Sequence, residues 1–243
     1  MNTSLPFPFP LGPEDILRRR AVILTGLLAR DEGFCTIPVR SILPSTLGHM
    51  LSAYDERFFS GMLVRSFPDL HVTLSSRLTS AAGKFVYTRA PGQSPAKTEI
   101  RMSSDFLFRL NEGPFDLNGL RVATPQEAFL VVFEHELCHA AQLALDGYTG
   151  HDVHFCALVH GLFGHTQTRH ALPTRRMEAA QAGFRVGTEV CFPFEGRTLR
   201  GVLSYVGKTA TVMVRAPRGP YRDSVGRRYE KYRVPVGLLE KNR

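Results

Sequence analysis

Cysteine is scarce in this 243-residue chain, and none of it is paired in sequence. Cys35, Cys138, Cys156 and Cys191 are scattered, with no C-x-x-C. That spacing excludes a Cys-type zinc ribbon and argues against a disulfide scaffold; the expectation is reduced thiols in a cytoplasmic protein. No run reaches about 18 consecutive apolar residues, so no membrane-spanning helix is expected. The opening stretch, MNTSLPFPFPLGPEDILRRR, lacks a basic segment followed by an apolar one and is not expected to be a secretory signal. Internal repeats and low-complexity tracts are also missing. Charge is present, but unevenly. The net +8 comes from 30 Lys and Arg against 22 Asp and Glu. Residues 1–183 hold 17 of each sign, whereas residues 184–243 hold 13 basic and 5 acidic side chains. The whole excess lies in the last quarter, which excludes a uniformly basic, histone-like protein and predicts two units with different jobs.

Along the chain, residues 1–13 are Pro-rich and read as extended. A helix is predicted from Glu14 to about Leu28, with Leu17, Ala21, Leu24 and Leu28 on one face. A second starts at Pro44-Ser45, with Leu47, Met50, Leu51 and Tyr54 sharing a face and Phe58 to Leu63 continuing it. Three strands follow, around His71–Leu74, Lys84–Tyr87 and Glu99–Met102, with the turn-rich residues 90–97 joining the last two. A short helix is expected at Ser104-Asp105. Thr124-Pro125-Gln126-Glu127 then combines a Thr N-cap, a Pro at the first helical position and a Glu three residues after the cap, and Gly147 supplies the stop. The helix between them is apolar on nearly all sides, so it must be buried and its polar residues need a reason. Another helix runs from the 149–152 region to about Phe163. After Phe184 the texture changes to short alternating strands, 188–194, 198–205, 209–215 and 229–236, separated by Gly turns.

His135-Glu136-Leu137-Cys138-His139 is an H-E-x-x-H motif within the buried helix. A spacing of four puts both imidazoles on one face, about a turn apart, where they can grip one ion. Glu136 stands beside them, where a carboxylate can take a proton from metal-bound water. A catalytic zinc needs a third protein ligand and an open position. Seven of the nine histidines fall between 135 and 170. His151, just after the Gly147–Gly150 turn, is the leading candidate, with His154 its rival and Glu178 a third choice in the linker. His160, His165 and His170 read as solvated or structural. Cys138 and Cys156 read as small buried residues on apolar helix faces.

The stretch from about Ser52 to His165 resembles the SprT/Spartan family of zinc metalloproteases. Four segments carry the resemblance in order: Leu74–Gly83 (LSSRLTSAAG), Glu99–Ser103 (EIRMS), His135–Ala140 (HELCHA) and Gly150–Phe155 (GHDVHF). The last resembles the family's G-H-G-x-x-F, in which the His is the third ligand, and so implies His151. Asp152 replaces the family's second Gly; it leaves the ligand in place but could change the loop geometry or bind the His151 imidazole. The Cys-rich zinc ribbon of some members is missing. The resemblance implies an α+β fold: a zincin-type metalloprotease domain with a small antiparallel sheet packed on the H-E-x-x-H helix. It also implies one catalytic Zn2+ on His135, His139 and His151, with Glu136 as general base. The implied activity is cleavage of proteins bound or crosslinked to DNA. Tyr148 and His154 are candidate second oxyanion donors, and the strand Glu99–Met102 could pair with an extended substrate.

Residues 184–243 have the strand rhythm of a small KOW- or Tudor-like β-barrel. Arg215, Arg218, Arg222, Arg227, Arg228, Lys231 and Arg233 are interleaved with Tyr221, Tyr229 and Tyr232, so cations could neutralise phosphates and rings could stack on unpaired bases. The predicted organisation is an N-terminal extension and helix (1–40), a SprT-like protease domain (41–165), a linker (166–183) and a basic barrel (184–243). The barrel is expected to bind single- or double-stranded DNA without sequence specificity, with no membrane partner, in the cytoplasm at the nucleoid. Two other readings stand beside this one. One is a nucleic-acid- or partner-binding protein with a structural zinc. The other is a protease whose barrel recognises protein.

Overall fold

In the computed structural model, which describes residues 5–88, 97–168 and 175–241, the chain divides into two units, residues 1–172 and 173–243. The turn-rich segment 90–97 lies outside the described residues except for Lys97, and so does His170.

The first unit opens with helix α1 (Pro13–Leu28), where Pro13 at the first position and Glu14 and Asp15 in the first turn suit a helix N-terminus. Its buried stripe is Ile16, Arg20, Ile23 and Leu27, one residue off the expected face, and Leu17 is exposed. The rotation has a distant cause: Arg20 faces inward because an acid on another helix receives it. The short α2 (Glu32–Cys35) is capped by Asp31. In α3 (Pro44–Phe59) the expected Leu47, Met50, Leu51 and Tyr54 are buried. The helix ends at Ser60-Gly61, both in the left-handed region, so α4 (Met62–Ser66) is a separate turn and not a continuation.

Strands β1 (His71–Ser75), β2 (Gly83–Thr88) and β3 (Lys97–Ser103) form a sheet in the order β1-β3-β2. β2 pairs antiparallel with β3, but β1 pairs parallel with it. The sheet is therefore mixed, not antiparallel as expected. Residues 76–82 carry the chain to the far edge before the β2–β3 hairpin returns β3 to the middle. Helix α5 (Ser104–Leu107), capped by Ser103, follows. A hairpin absent from the sequence reading comes next, β4 (Phe115–Leu117) and β5 (Leu120–Val122), turned by Asn118-Gly119 with both residues at positive φ.

Helix α6 (Pro125–Asp146) carries the predicted capping box, in which Thr124 accepts from Glu127 N and Glu127 returns to the Thr124 N–H. Gly147 closes it in the left-handed conformation. Its length and apolarity would suit a membrane span, yet nearly all of it is buried in the first unit's core. Helix α7 (Val153–Phe163) starts on Asp152 and stops on the left-handed Gly164. The core between α3, α6 and α7 is aromatic: Tyr54 and Phe58 stack, and Phe133 and Phe163 meet Tyr54 edge-on. The N-terminal segment belongs to this core through Phe7, Ile23, Leu27 and Phe34.

In the second unit, α8 (Arg175–Gln181) lies within the expected linker but buries Ala179 against the strands that follow. Those strands are β6 (Glu189–Phe194), β7 (Arg197–Val206), β8 (Thr209–Arg215), β9 (Tyr221–Arg222), β10 (Arg228–Pro235) and β11 (Glu240–Lys241). They form one six-stranded sheet, order β11-β6-β7-β8-β10-β9, in which every pair is antiparallel. One face buries Val190, Phe192, Leu203, Ala210, Val212 and Val234.

Candidate metal centre

Two elements bring three imidazoles together. His135 and His139 project from one face of α6, and His151 comes from the turn between Gly147 and α7. Their ring centroids form a nearly equilateral triangle, 4.9, 5.1 and 4.8 Å on a side. One nitrogen from each lies within 4.8 Å of the others, and the Nε2 atoms of His135 and His151 are 3.1 Å apart. The donor set suits a first-row divalent cation, since three imidazoles around one point match the three-histidine sites of hydrolytic zinc. Among the described residues the cluster holds these three histidines alone. His135 is buried and His151 exposed, so one side opens to solvent. The rival His154 sits outside the cluster, with Nδ1 3.4 Å from Asp146 Oδ2, and Glu178 lies on α8 of the second unit.

Surrounding groups hold the imidazoles. The Nδ1 of His139 lies 2.8 Å from the Thr149 hydroxyl, so Nε2 is the nitrogen it would offer an ion. Phe155, fully buried in the first turn of α7, stacks on His139 at 4.3 Å and meets His135 and His151 edge-on at 4.9 Å each. Gln142, one turn beyond His139 and fully buried, grips the loop on both sides of His151. Its Oε1 accepts the Gly150 N–H at 2.8 Å, and its Nε2 donates to Asp152 Oδ1 at 2.8 Å. Of the two roles open to Asp152, shaping the loop is the one that the bonds of its carboxylate serve. It caps α7 at the Phe155 N–H and accepts the Tyr148 hydroxyl at 2.6 Å, which commits Tyr148 elsewhere than an oxyanion.

Glu136 points at the sheet. Its Oε2 accepts the Phe85 N–H at 2.6 Å. Burial pushes its carboxyl up to about 8, against the pull of that hydrogen bond. Strand β2 can come this close because residue 83 is glycine: a Cβ there would lie 2.8 Å from Glu136 Cγ and Oε1 and 2.9 Å from Val132 Cγ1. The substrate role expected of Glu99–Met102 fails, because β3 is paired on both sides; β2 is the edge strand beside Glu136.

Beneath the cluster lies a buried polar network. Arg20 donates to both Glu134 oxygens at 2.7 and 2.8 Å, Tyr54 donates to Oε1, and His165 Nε2 lies 2.9 Å from Oε2. Burial alone would raise the Glu134 carboxyl, but Arg20 and His165 hold it down at about 2. Of the cysteines, Cys138 is buried, which pushes its thiol up and makes it inert, whereas Cys156 is exposed, contrary to expectation.

In the second unit the proposed nucleic-acid residues separate by strand face. Arg215, Arg227 and Tyr229 come together on one face. Lys231 stands 5.0 Å above the Tyr221 ring. Arg218, Arg222 and Arg233 are exposed, while Arg228 is half-buried and donates to the Gly219 carbonyl. Tyr232 turns to the other face against Phe192 and Phe194.

Sequence reasoning missed Gln142, Thr149, Phe155, Gly83 and the Phe85 N–H. Gln142 carried a signal, being a polar residue on the histidine face of a largely apolar helix. The Phe85 N–H carried none, because it is a backbone group that only the fold brings to Glu136.

The family model described as the SprT-like family matches residues 47–176, just over half of the 243-residue chain. No curated protein matches it.

Proposed function

The chain belongs to the SprT-like family, and from that premise we propose that it is a zinc-dependent endopeptidase of zincin type that cleaves proteins bound or crosslinked to DNA. The observation that carries this reading is the open triangle of His135, His139 and His151 with a separate, buried carboxylate, Glu136, next to it in sequence. Those three histidines would hold the zinc. When bound, that ion would polarise a peptide carbonyl and lower the pKa of a water.

The chain's own groups do the rest. Glu136 accepts a proton and returns it to the leaving amine as general base and then general acid. A cation beside it would draw its carboxyl back down from the value that burial imposes. The Phe85 N–H holds the carboxylate in one orientation. Strand β2, which among the described residues pairs with β3 alone, offers the rest of its other edge, beyond the Phe85 N–H that Glu136 takes, to an extended substrate backbone. A purely structural zinc would call for a fourth protein ligand, and the nearest candidate in sequence, His154, is turned to Asp146. The second unit would deliver the protease to nucleic acid, since residues 184–243 carry 13 basic against 5 acidic side chains. A cytoplasmic setting is part of this reading, in keeping with the scattered cysteines.

The test is Glu136→Gln. Zinc content should be retained while cleavage of a protein substrate falls by about 100-fold or more. Unchanged cleavage would remove Glu136 from the mechanism.

A further inference from the structure

The second unit's sheet has one face packed and one face outward. On the outward face, alternate residues of three neighbouring strands align: Arg200 and Val202 on β7, Met213 and Arg215 on β8, Tyr229 and Lys231 on β10. Their registers put Val202 opposite Met213, Met213 opposite Lys231, and Arg215 opposite Tyr229. All of these but Lys231, which stands over Tyr221, line a groove of about 380 Å³. Its floor is Val202 and Met213, its walls are Arg200, Arg215, Arg227 and Tyr229, and Glu189 is the one acid along it. The volume falls within the range of small-molecule sites.

The loop beside the groove is built to hold two of these walls. Asp223 Oδ1 accepts the N–H groups of Val225 at 3.1 Å and Arg227 at 2.8 Å, and its Oδ2 accepts the Tyr229 hydroxyl at 3.0 Å. The Asp223 N–H in turn donates to the Arg227 carbonyl. One carboxylate thus fixes both the backbone that bears Arg227 and the far end of the Tyr229 ring.

We propose that this groove is a single-stranded nucleic-acid site, in which Tyr229 stacks on an unpaired base over the Val202–Met213 floor and Arg200, Arg215 and Arg227 take the adjoining phosphates. The inference rests on the assignment of nucleic-acid binding to the second unit and goes on to place it. Three cations around an aromatic wall and an apolar floor match the combination that binds single strands without reading sequence. A duplex keeps its bases stacked and offers nothing to the floor or to Tyr229. Arg200 joins the site although it lies outside the basic loop, and Tyr232 leaves it.

The experiment uses the full chain and a labelled oligothymidylate of about 20 nucleotides, long enough to fill one such site. The same sequence in duplex form and poly-glutamate serve as competitors. The single strand should bind about tenfold more tightly than the duplex. Tyr229→Ala and Arg200→Ala should each weaken it about tenfold, Tyr229→Phe should keep most of the affinity, and Arg197→Ala, outside the groove, should change little. Asp223→Ala separates structure from bulk charge. It removes a negative charge and yet should weaken binding, because the backbone that bears Arg227 loses its anchor. Circular dichroism and melting of each variant identify any that fail to fold, and Tyr229→Phe keeps the test open in that case. Tighter binding by Asp223→Ala, equal losses at Arg197 and Arg200, or displacement by poly-glutamate as effective as by oligothymidylate would overturn the placement while leaving nucleic-acid binding intact. No binding of either DNA form would overturn both.

Discussion

Gln142 bonds the chain on either side of His151, one bond to the Gly150 N–H and one to the Asp152 carboxylate. A third ligand supplied by a loop is only as well placed as that loop, and outer partners of this kind typically contribute 10- to 100-fold to metal affinity. Gln142→Leu should fold, since leucine suits the apolar surroundings, but it leaves the Gly150 N–H and Asp152 without their partner. We predict zinc affinity lower by about 10- to 100-fold, measured by chelator competition, with Gln142→Glu recovering the bond to Gly150 alone. Affinity unchanged in Gln142→Leu would show that the loop holds His151 without it. Phe155 and Thr149 act on the same imidazoles from the side, by stacking on His139 and by meeting its Nδ1.

Helix α1 lies outside the matched residues 47–176 yet anchors the helix that bears the motif. Arg20 reaches Glu134, the residue before His135, and both are buried. Removing one partner of a buried pair strands the other charge, so Arg20→Ala should lower stability to denaturant by about 3–5 kcal/mol. A loss within a few tenths of a kcal/mol would mean that Glu134 is satisfied by Tyr54 and His165 alone. Asp31 plays a similar part nearby. Burial pushes its carboxyl up, but the Leu43 N–H, the Thr46 hydroxyl and the Phe34 N–H pull it lower still, below the ordinary aspartate range. A depressed folded-state pKa stabilises above the unfolded value of about 3.9 and is lost as pH falls through the folded one. Acid unfolding should therefore begin at higher pH in Asp31→Asn than in the parent chain, and coincident curves would contradict the assignment. What could be read in advance at this level was local. The caps of α6 are sequence neighbours of the helix they bound, so Thr124, Glu127 and Gly147 announced it. The rotation of α1 was not readable, because Arg20 turns inward for a partner 114 residues away. Alternation marked β3 as a strand but says nothing of neighbours, so its central place came only with the fold. The Asn118-Gly119 turn was a legible hairpin signal whose flanking strands, three residues each, are too short to show alternation.

Across the whole chain, charge and chemistry are divided. Residues 1–172, the unit that carries the histidine triangle, hold 15 basic and 16 acidic side chains, and residues 173–243 hold 15 and 6, so the excess belongs to the second unit. That partition was visible in the sequence, as were the histidines, because motif spacing on a helix is geometry already. The grouping of the basic residues was not. Along the chain Tyr229 and Tyr232 look alike, but strand alternation sends them to opposite faces, and Arg200 joins from another strand. The proposed direction of zinc-dependent cleavage to proteins on DNA is open to one experiment: zinc content and cleavage of a DNA-bound protein measured in one preparation, with and without DNA and with and without a chelator. The expected result is close to one zinc per chain, cleavage lost on chelation and restored by zinc, and faster cleavage when the substrate is on DNA. A chain that binds no zinc, or one whose cleavage is indifferent to both chelator and DNA, would contradict it.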